Sequence, residues 1–384
     1  MASMRVRIAL GVSLLTLVSE GVAFAQSPKC TPTESTRQLE GQLQGLIDSI
    51  AKTNPDVPGV ALTVLAPRHC LTWSGASGVA DRATKAPLTP QTPFRLASNT
   101  KTYTAAAIVR LMEEGRLSVD DIITRHLPAA SLEPLRRDGY DVDHITIRHL
   151  LTHTAGIYDY ATDPHFQTLV LDMPNHRWTR AEQVDSAMIW GAPYAPPGKV
   201  FHYTDTGYIL LGEIIERLSG KSLADAYRSL LRFEALGLGS TWLETLEPRP
   251  ADVPDLAHQY LGDADTRGID PSFDLYGGGG LAATTSDMAR FTRALFAVGV
   301  FAKPTSITLM TTIPDFADAA RTYAFGMSRQ KYAGDTYWGH SGFWNTLAAH
   351  VPVRDVTVAL SVTQQQRSDV GRALLRAVLE RVRP

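Results

Sequence analysis

Cysteine is scarce: a chain of 384 residues holds two, Cys30 and Cys70. With no third thiolate nearby, a cysteine-built metal site is not expected. An even pair in an oxidising compartment favours one disulfide, here Cys30 with Cys70. A surplus of positive charge is equally lacking. The 37 Lys and Arg residues are offset by 39 Asp and Glu, for a formal charge of −2, which gives no electrostatic reason to expect nucleic acid or an anionic membrane as partner. Internal repeats and low-complexity tracts are absent. Apolar residues at 44% and charged residues at 20% are ordinary globular usage, which excludes a disordered, collagen-like or coiled-coil chain.

Long apolar runs are missing except for one near the start, residues 8–18. It is far shorter than the roughly 20 residues that span a bilayer. Arg5 and Arg7 precede it and Ala23-Phe24-Ala25 follows it, the layout of a signal peptide over residues 1–25 with Gln26 as the new N-terminus. The mature chain, residues 26–384, is therefore expected to be periplasmic or secreted, without stable membrane insertion.

Periodicity organises the rest. Leu39, Leu43, Leu46, Ile47 and Ile50 fall at helical spacing and predict an amphipathic helix over 36–51. Residues 59–65 and 70–75 read as a strand hairpin, and 337–340, 346–351 and 356–362 as three more strands before a closing helix over 370–382. Helical spacing dominates between these ends, at 102–114, 147–152, 206–218 and 286–296. Strands at both ends with helices between predict an α+β fold, an antiparallel sheet completed by the two termini and flanked by helices. The α/β part would comprise about 26–95 and 255–384 and the helical part about 96–254, with the Pro-rich stretch 247–255 as the return point.

Ser-x-x-Lys sets a hydroxyl and an amine one helical turn apart, so that the amine eases deprotonation of the hydroxyl. The pattern occurs at Ser49–Lys52, Ser98–Lys101 and Ser328–Lys331. The first lies on the polar face of the predicted first helix, and the third in a short polar connection. Ser98 instead follows Pro93-Phe94-Arg95-Leu96-Ala97 and opens an Ala-rich helix that Gly115 ends, where free amides and the positive dipole end favour a developing anion. As a plain N-cap it would look the same. Tyr203 separates the two readings. Of thirteen tyrosines only Tyr203 has Asn or Asp two places on, Asp205, and a phenol beside an ammonium can titrate below its free value and serve as a general base. The third element is Trp338-Gly339-His340-Ser341-Gly342 on a predicted strand, where glycine admits a substrate backbone.

These three elements, in this order, resemble the penicillin-recognising serine hydrolases: class C β-lactamases, D-alanyl-D-alanine carboxypeptidases, D-aminopeptidases and related esterases. The signatures of that group are Ser-x-x-Lys, Tyr-x-Asn and Lys-Thr-Gly or His-Thr-Gly. Residues 145–157 and 278–288 are similar to it as well. The resemblance implies a β-lactamase-like fold and an acyl-enzyme on Ser98, with Lys101, Tyr203 and His340 as further catalytic residues. It also implies an oxyanion hole from the amides of Ser98 and Phe343, and substrate contacts from Asp205, Ser341 and Gly342. No metal or organic cofactor is implied. Asp205 replaces the usual Asn, exchanging an amide for a group that only accepts when ionised. His340 and Ser341 replace Lys and Thr, which points to the carboxypeptidase and aminopeptidase branch.

The expected activity is that of a D-alanyl-D-alanine carboxypeptidase-like peptidase or amidase acting on a peptidoglycan peptide, a β-lactam or an ester. Carboxylesterase, class C-like β-lactamase and non-catalytic peptidoglycan-binding or β-lactam-sensing module are the alternatives. His149 and His153 have the spacing of a zinc pair but lack the Glu of a metallohydrolase, so a structural role is expected. Gly339–Phe343 misses the last glycine of a nucleophile elbow. Glycines 277–280 lack the dinucleotide-binding context, and close backbone packing beside the cleft is expected of them. None of Tyr158, Tyr160, Trp190 and Trp344 is assigned to the site.

Overall fold

The computed structural model describes residues 30–297, 299–315 and 322–383. The predicted leader, 1–25, lies outside them. Residues 1–31 and 32–384 form separate units, and every element named here belongs to the second. The chain opens with α1 (Glu34–Thr53), β1 (Gly59–Ala66), β2 (Leu71–Gly78) and β3 (Phe94–Arg95). Helices follow: α2 (Thr100–Glu113), α3 (Ala129–Arg137), α4 (Ile147–Leu151), α5 (Pro164–Asp172), α6 (Arg180–Trp190), α7 (Asp205–Ser219), α8 (Leu223–Leu230) and α9 (Phe233–Leu236). Short strands β4 (Thr241–Leu243), β5 (Tyr260–Leu261), β6 (Ala264–Asp265) and β7 (Leu281–Ala283) precede α10 (Thr285–Phe296) and α11 (Pro304–Met310). The chain closes with β8 (Ser328–Tyr332), β9 (Asp335–Gly342), β10 (Thr346–Val351), β11 (Val356–Val362) and α12 (Ser368–Arg381).

Six strands make one antiparallel sheet in the order β2-β1-β11-β10-β9-β8, so the sheet is completed by both ends of the chain. Alternate residues of a strand face opposite sides. On one side Val60, Leu62, Val64, Val356, Val358, Leu360 and Val362 meet Leu43 and Ile47 of α1 and Leu374, Leu375 and Val378 of α12 in one buried cluster. Each such side chain contributes about 1.5–3 kcal/mol on burial. The other side carries the smaller Ala61, Thr63, Ala359 and Ser361, all buried. There α10 packs, with Thr63 Oγ1 2.9 Å from Thr285 Oγ1.

α2 is buried all round, from Thr100 to Val109, with polar Thr100, Lys101, Thr102 and Thr104 in its first turns and apolar residues from Ala105 to Val109. It packs against α7 and α8. A three-stranded sheet, β3-β7-β4, leads the chain into α2, and Leu96 N–H extends it by donating to Leu281 O at 2.8 Å. Strands of two or three residues carry no readable period, which is why this sheet is absent from the sequence pattern. Ser328–Lys331 corrects an expectation: it is edge strand β8, not a connection, and its alternation is masked because most of its side chains are exposed. No helix among the described residues is long and apolar enough to cross a membrane.

Candidate active site

Ser98 sits on a 3-10 turn, Ala97–Asn99, between β3 and α2. The N-cap of α2 is Asn99, not Ser98. Asn99 does not cap, because its amide Nδ2 donates to Thr346 Oγ1 at 2.8 Å, while Thr346 Oγ1 donates to Leu96 O at 3.0 Å. These bonds tie the turn to β10. Ala97 has a φ of 45°, a left-handed conformation that costs a residue with a Cβ about 1–2 kcal/mol. Gly342 serves the same turn. A Cβ there would collide with the Leu96 carbonyl oxygen and crowd Asn99, so its glycine admits protein backbone.

Lys101, the second residue of α2, is fully buried. Its three donors reach Ser98 Oγ at 3.1 Å, Gly278 O at 2.9 Å and the Asp205 carboxylate, with which it forms a buried ion pair. Burial alone would lower the Lys101 pKa, but Asp205 and Tyr203 reverse this and raise it, so the group is an ammonium. The glycine run therefore packs at the cleft. Gly277 has a φ of 124°, and a Cβ on Gly279 would strike Asp274.

Tyr203 and Asp205 are placed by the start of α7. Thr204 is its N-cap, accepting from Thr206 N–H at 3.1 Å and donating its own N–H to His153 Nδ1 at 3.2 Å. Asp205 N–H donates to Asp159 Oδ1 at 2.9 Å. The Tyr203 ring lies 4.9 Å from Lys101 Nζ, and Lys101 and Ser98 both act to lower the pKa of its phenol. Its pKa corrects the expected depression: burial raises it, and Asp205 adds to the rise against the pull of Lys101. The resting group is a neutral phenol.

His340 on β9 is neutral too. Nδ1 donates to Ser341 O at 2.7 Å, which leaves Nε2 to accept from the Tyr323 hydroxyl at 3.0 Å. Burial, and then Lys101, push its pKa down to about 3. His153 is buried beneath Tyr203, ring centroids 4.2 Å apart, and His149 Nδ1 caps α4 by accepting from Thr146 N–H. Each of the two histidines accepts a backbone N–H at Nδ1 and so holds the local chain. Among the described residues the one group spaced to hold a cation is Asp81, His258 and Asp265, none of which lines the cavity beside Ser98.

That cavity measures about 320 Å³ and is lined by Ser98, Tyr203, Asp205 and Phe343. Lys101 and His340 stand behind its wall, and Ser341 and Gly342 do not line it. Its apolar wall includes Phe166, Val170, Leu171, Phe273 and Trp344. Trp344 thus joins the site, whereas Tyr158, Tyr160 and Trp190 do not line it. The sequence reading missed two carboxylates of the cavity, Asp159 and Asp274. Their signals were position alone: Asp159 follows the 145–157 stretch and Asp274 precedes the glycine run. Burial, and then the neighbouring Asp205, raise Asp159 to about 6 and Asp274 to about 8. Cys30 and Cys70 lie outside the site, both disulfide-bonded.

The Beta-lactamase family model matches residues 44–382. Penicillin-binding protein 4 of Amycolatopsis lactamdurans is 31% identical over 308 residues, 75% of this chain and 71% of the relative. Esterase EstB of Burkholderia gladioli is 31% identical over 222 residues, 56% of this chain and 54% of the relative. The solved D-amino acid amidase from Ochrobactrum anthropi SV3, complexed with D-phenylalanine, is 25% identical and superposes with a TM-score of 0.75 over 90% of this chain and 99% of that one.

Proposed function

The chain belongs to the Beta-lactamase family, and from that premise we propose that it is an exported hydrolase that forms an acyl-enzyme on Ser98 and cleaves amides or esters. The observation that carries this reading is the Lys101 ammonium 3.1 Å from Ser98 Oγ, at the edge of a cavity that Tyr203 and Phe343 also line. The leader and the two disulfide-bonded cysteines support export.

A neutral phenol and a paired ammonium favour a shuttle over a standing base. As Ser98 Oγ bonds to the substrate carbonyl carbon, its proton passes to Tyr203 Oη and the Tyr203 proton passes to the leaving nitrogen or oxygen. Neither group then needs a charged intermediate of its own. Lys101 donates toward the oxygen that becomes partly anionic, and Asp205 holds Lys101 charged. The amides of Ser98 and Phe343 would meet the carbonyl oxygen as charge develops on it. Water reverses the relay through Tyr203 and releases the acid.

His340 distinguishes the substrate classes. A carboxypeptidase or a β-lactamase acts on substrates with a carboxylate near the scissile bond, which calls for a cation. His340 is neutral and spends both nitrogens inside the protein, so an amidase or esterase reading is favoured. Intact mass after mixing with an activated ester, and separately with a penicillin, tests this. A transient ester-derived adduct on the wild type that Ser98→Ala lacks is expected, with little or no penicillin adduct. A long-lived penicillin adduct would restore the carboxypeptidase reading, and no adduct from either would overturn the acyl-enzyme.

A further inference from the structure

His153 grips the chain on both sides of Tyr203. It follows α4, is 0% exposed and holds a left-handed φ of 57°, a conformation that Asn, Asp and His adopt more readily than other side chains. Its carbonyl oxygen accepts from His202 N–H at 2.8 Å, and its Nδ1 accepts from Thr204 N–H at 3.2 Å. These are the two amides that flank Tyr203. Farther back, Gly198 N–H donates to Thr154 O at 2.8 Å and Tyr194 N–H to Gly156 O at 2.9 Å, so residues 194–204 are laced along 153–156. The His153 ring lies 4.2 Å from the Tyr203 ring, 4.6 Å from Tyr323 and 5.0 Å from Tyr208. Burial first, then Lys101 and His340, hold its pKa well below the ordinary histidine value. With Nδ1 accepting, the proton of this neutral ring is on Nε2, and Nε2 is buried without a hydrogen-bond partner among the described residues. A phenyl ring would fill the same aromatic surround without burying an unpaired N–H, which is costly. What the imidazole adds is the acceptor Nδ1.

Resting on the relay through Tyr203 proposed above, we infer that His153 is a positioning residue for that phenol, fixing the backbone on either side of Tyr203 and packing against its ring. His153 does not line the cavity, so it meets no substrate and acts on the rate through Tyr203. The Tyr203 hydroxyl is at the far end of its side chain, where a small rotation of the backbone is magnified, and a proton relay works only within hydrogen-bond reach. α4 and α7 pack on each other, so the clamp refers Tyr203 to the helical body and not to the loop that leads into it.

Two substitutions and a double-mutant cycle read this role. His153→Phe keeps a ring and removes the acceptor, whereas His153→Asn keeps an acceptor on Cγ and suits the left-handed φ. Acylation by an activated ester is followed per reactive Ser98, from the burst of released alcohol, so that misfolded protein is not counted. His153→Phe should slow acylation about 10²-fold, the scale of a misplaced catalytic group, with substrate Kd unchanged. His153→Asn should stay within about ten-fold of wild type, the scale of one weakened hydrogen bond. On a Tyr203→Phe background, His153→Phe should add less than about two-fold, because residues that act as one unit are not additive. A full second loss on that background, or a folded His153→Phe that acylates at the wild-type rate, would leave His153 a structural residue only. An Asn variant as slow as the Phe variant would equally reject the Nδ1 clamp. Nitrogen NMR of the wild type at pH 7 decides the matter even where no variant folds: a proton on Nε2 is expected, and one on Nδ1 overturns the clamp. Failure of the relay itself has a separate signature, Tyr203→Phe acylating as fast as wild type, and it would take the purpose of the clamp with it.

Discussion

The two sides of the main sheet are built on opposite plans. Toward α1 and α12 the strands offer Val and Leu, and the contact is aliphatic, so what matters there is volume. Toward α10 and the catalytic turn they offer Ala, Thr and Ser, and the contact includes side-chain hydrogen bonds, one of which holds the turn that carries the left-handed Ala97. Small side chains let elements approach closely, and close approach is what positions Ser98. The first side stores stability, and the second holds geometry that costs some of it.

Substitutions should separate these roles. Ser98→Ala is expected to lower turnover of an activated ester by roughly 10⁴-fold or more while leaving Tm nearly unchanged, as steady-state kinetics and calorimetry would show. An equal loss of stability would break the distinction. Gly342→Ala, which drives a methyl against Leu96 O, should cost about 10²-fold in kcat/KM through displacement of the nucleophile, again with a small change in Tm. Leu360→Ala on the aliphatic side should invert the pattern. Denaturant unfolding should register a loss of about 2–5 kcal/mol, with kcat of the folded fraction intact.

Asp274→Asn sharpens the comparison through pH. The folded-state pKa of Asp274, about 8, lies above its ordinary 3.8, so the folded state binds the extra proton between those values and stability is lost as pH rises through about 8. Relative to wild type, the Asn variant should therefore gain Tm from pH 5 to about pH 8 and level off above it. A flat difference would place Asp274 in contact with bulk water. Ser49→Ala sets the baseline: on the exposed face of α1, it should change stability by less than about 0.5 kcal/mol and activity not at all.

The legibility of the sequence follows the same division. The aliphatic side was plain, because β1, β11, α1 and α12 carry regular spacing and burial follows spacing. Ser98, Lys101, Tyr203 and Phe343 were also legible, since a motif fixes local spacing and these fall at one place in space. What went unread depends on long-range proximity. Asp159 and Asp274 matter because folding brings them beside Asp205, and Gly342 because Leu96 passes over it. The protonation state of Tyr203 was misjudged for that reason, burial and partners being properties of the packed chain.

Val60 pairs with Val362 at the middle of the sheet, a separation of roughly 300 residues that places this protein among chains of high contact order, whose folding is slow. The sheet cannot close until its last strand has been synthesised, so an emerging chain stays open for the whole of translation. For the export proposed above that delay would be an advantage: the polypeptide stays threadable until its last strand is made and acquires its rigid seam afterwards.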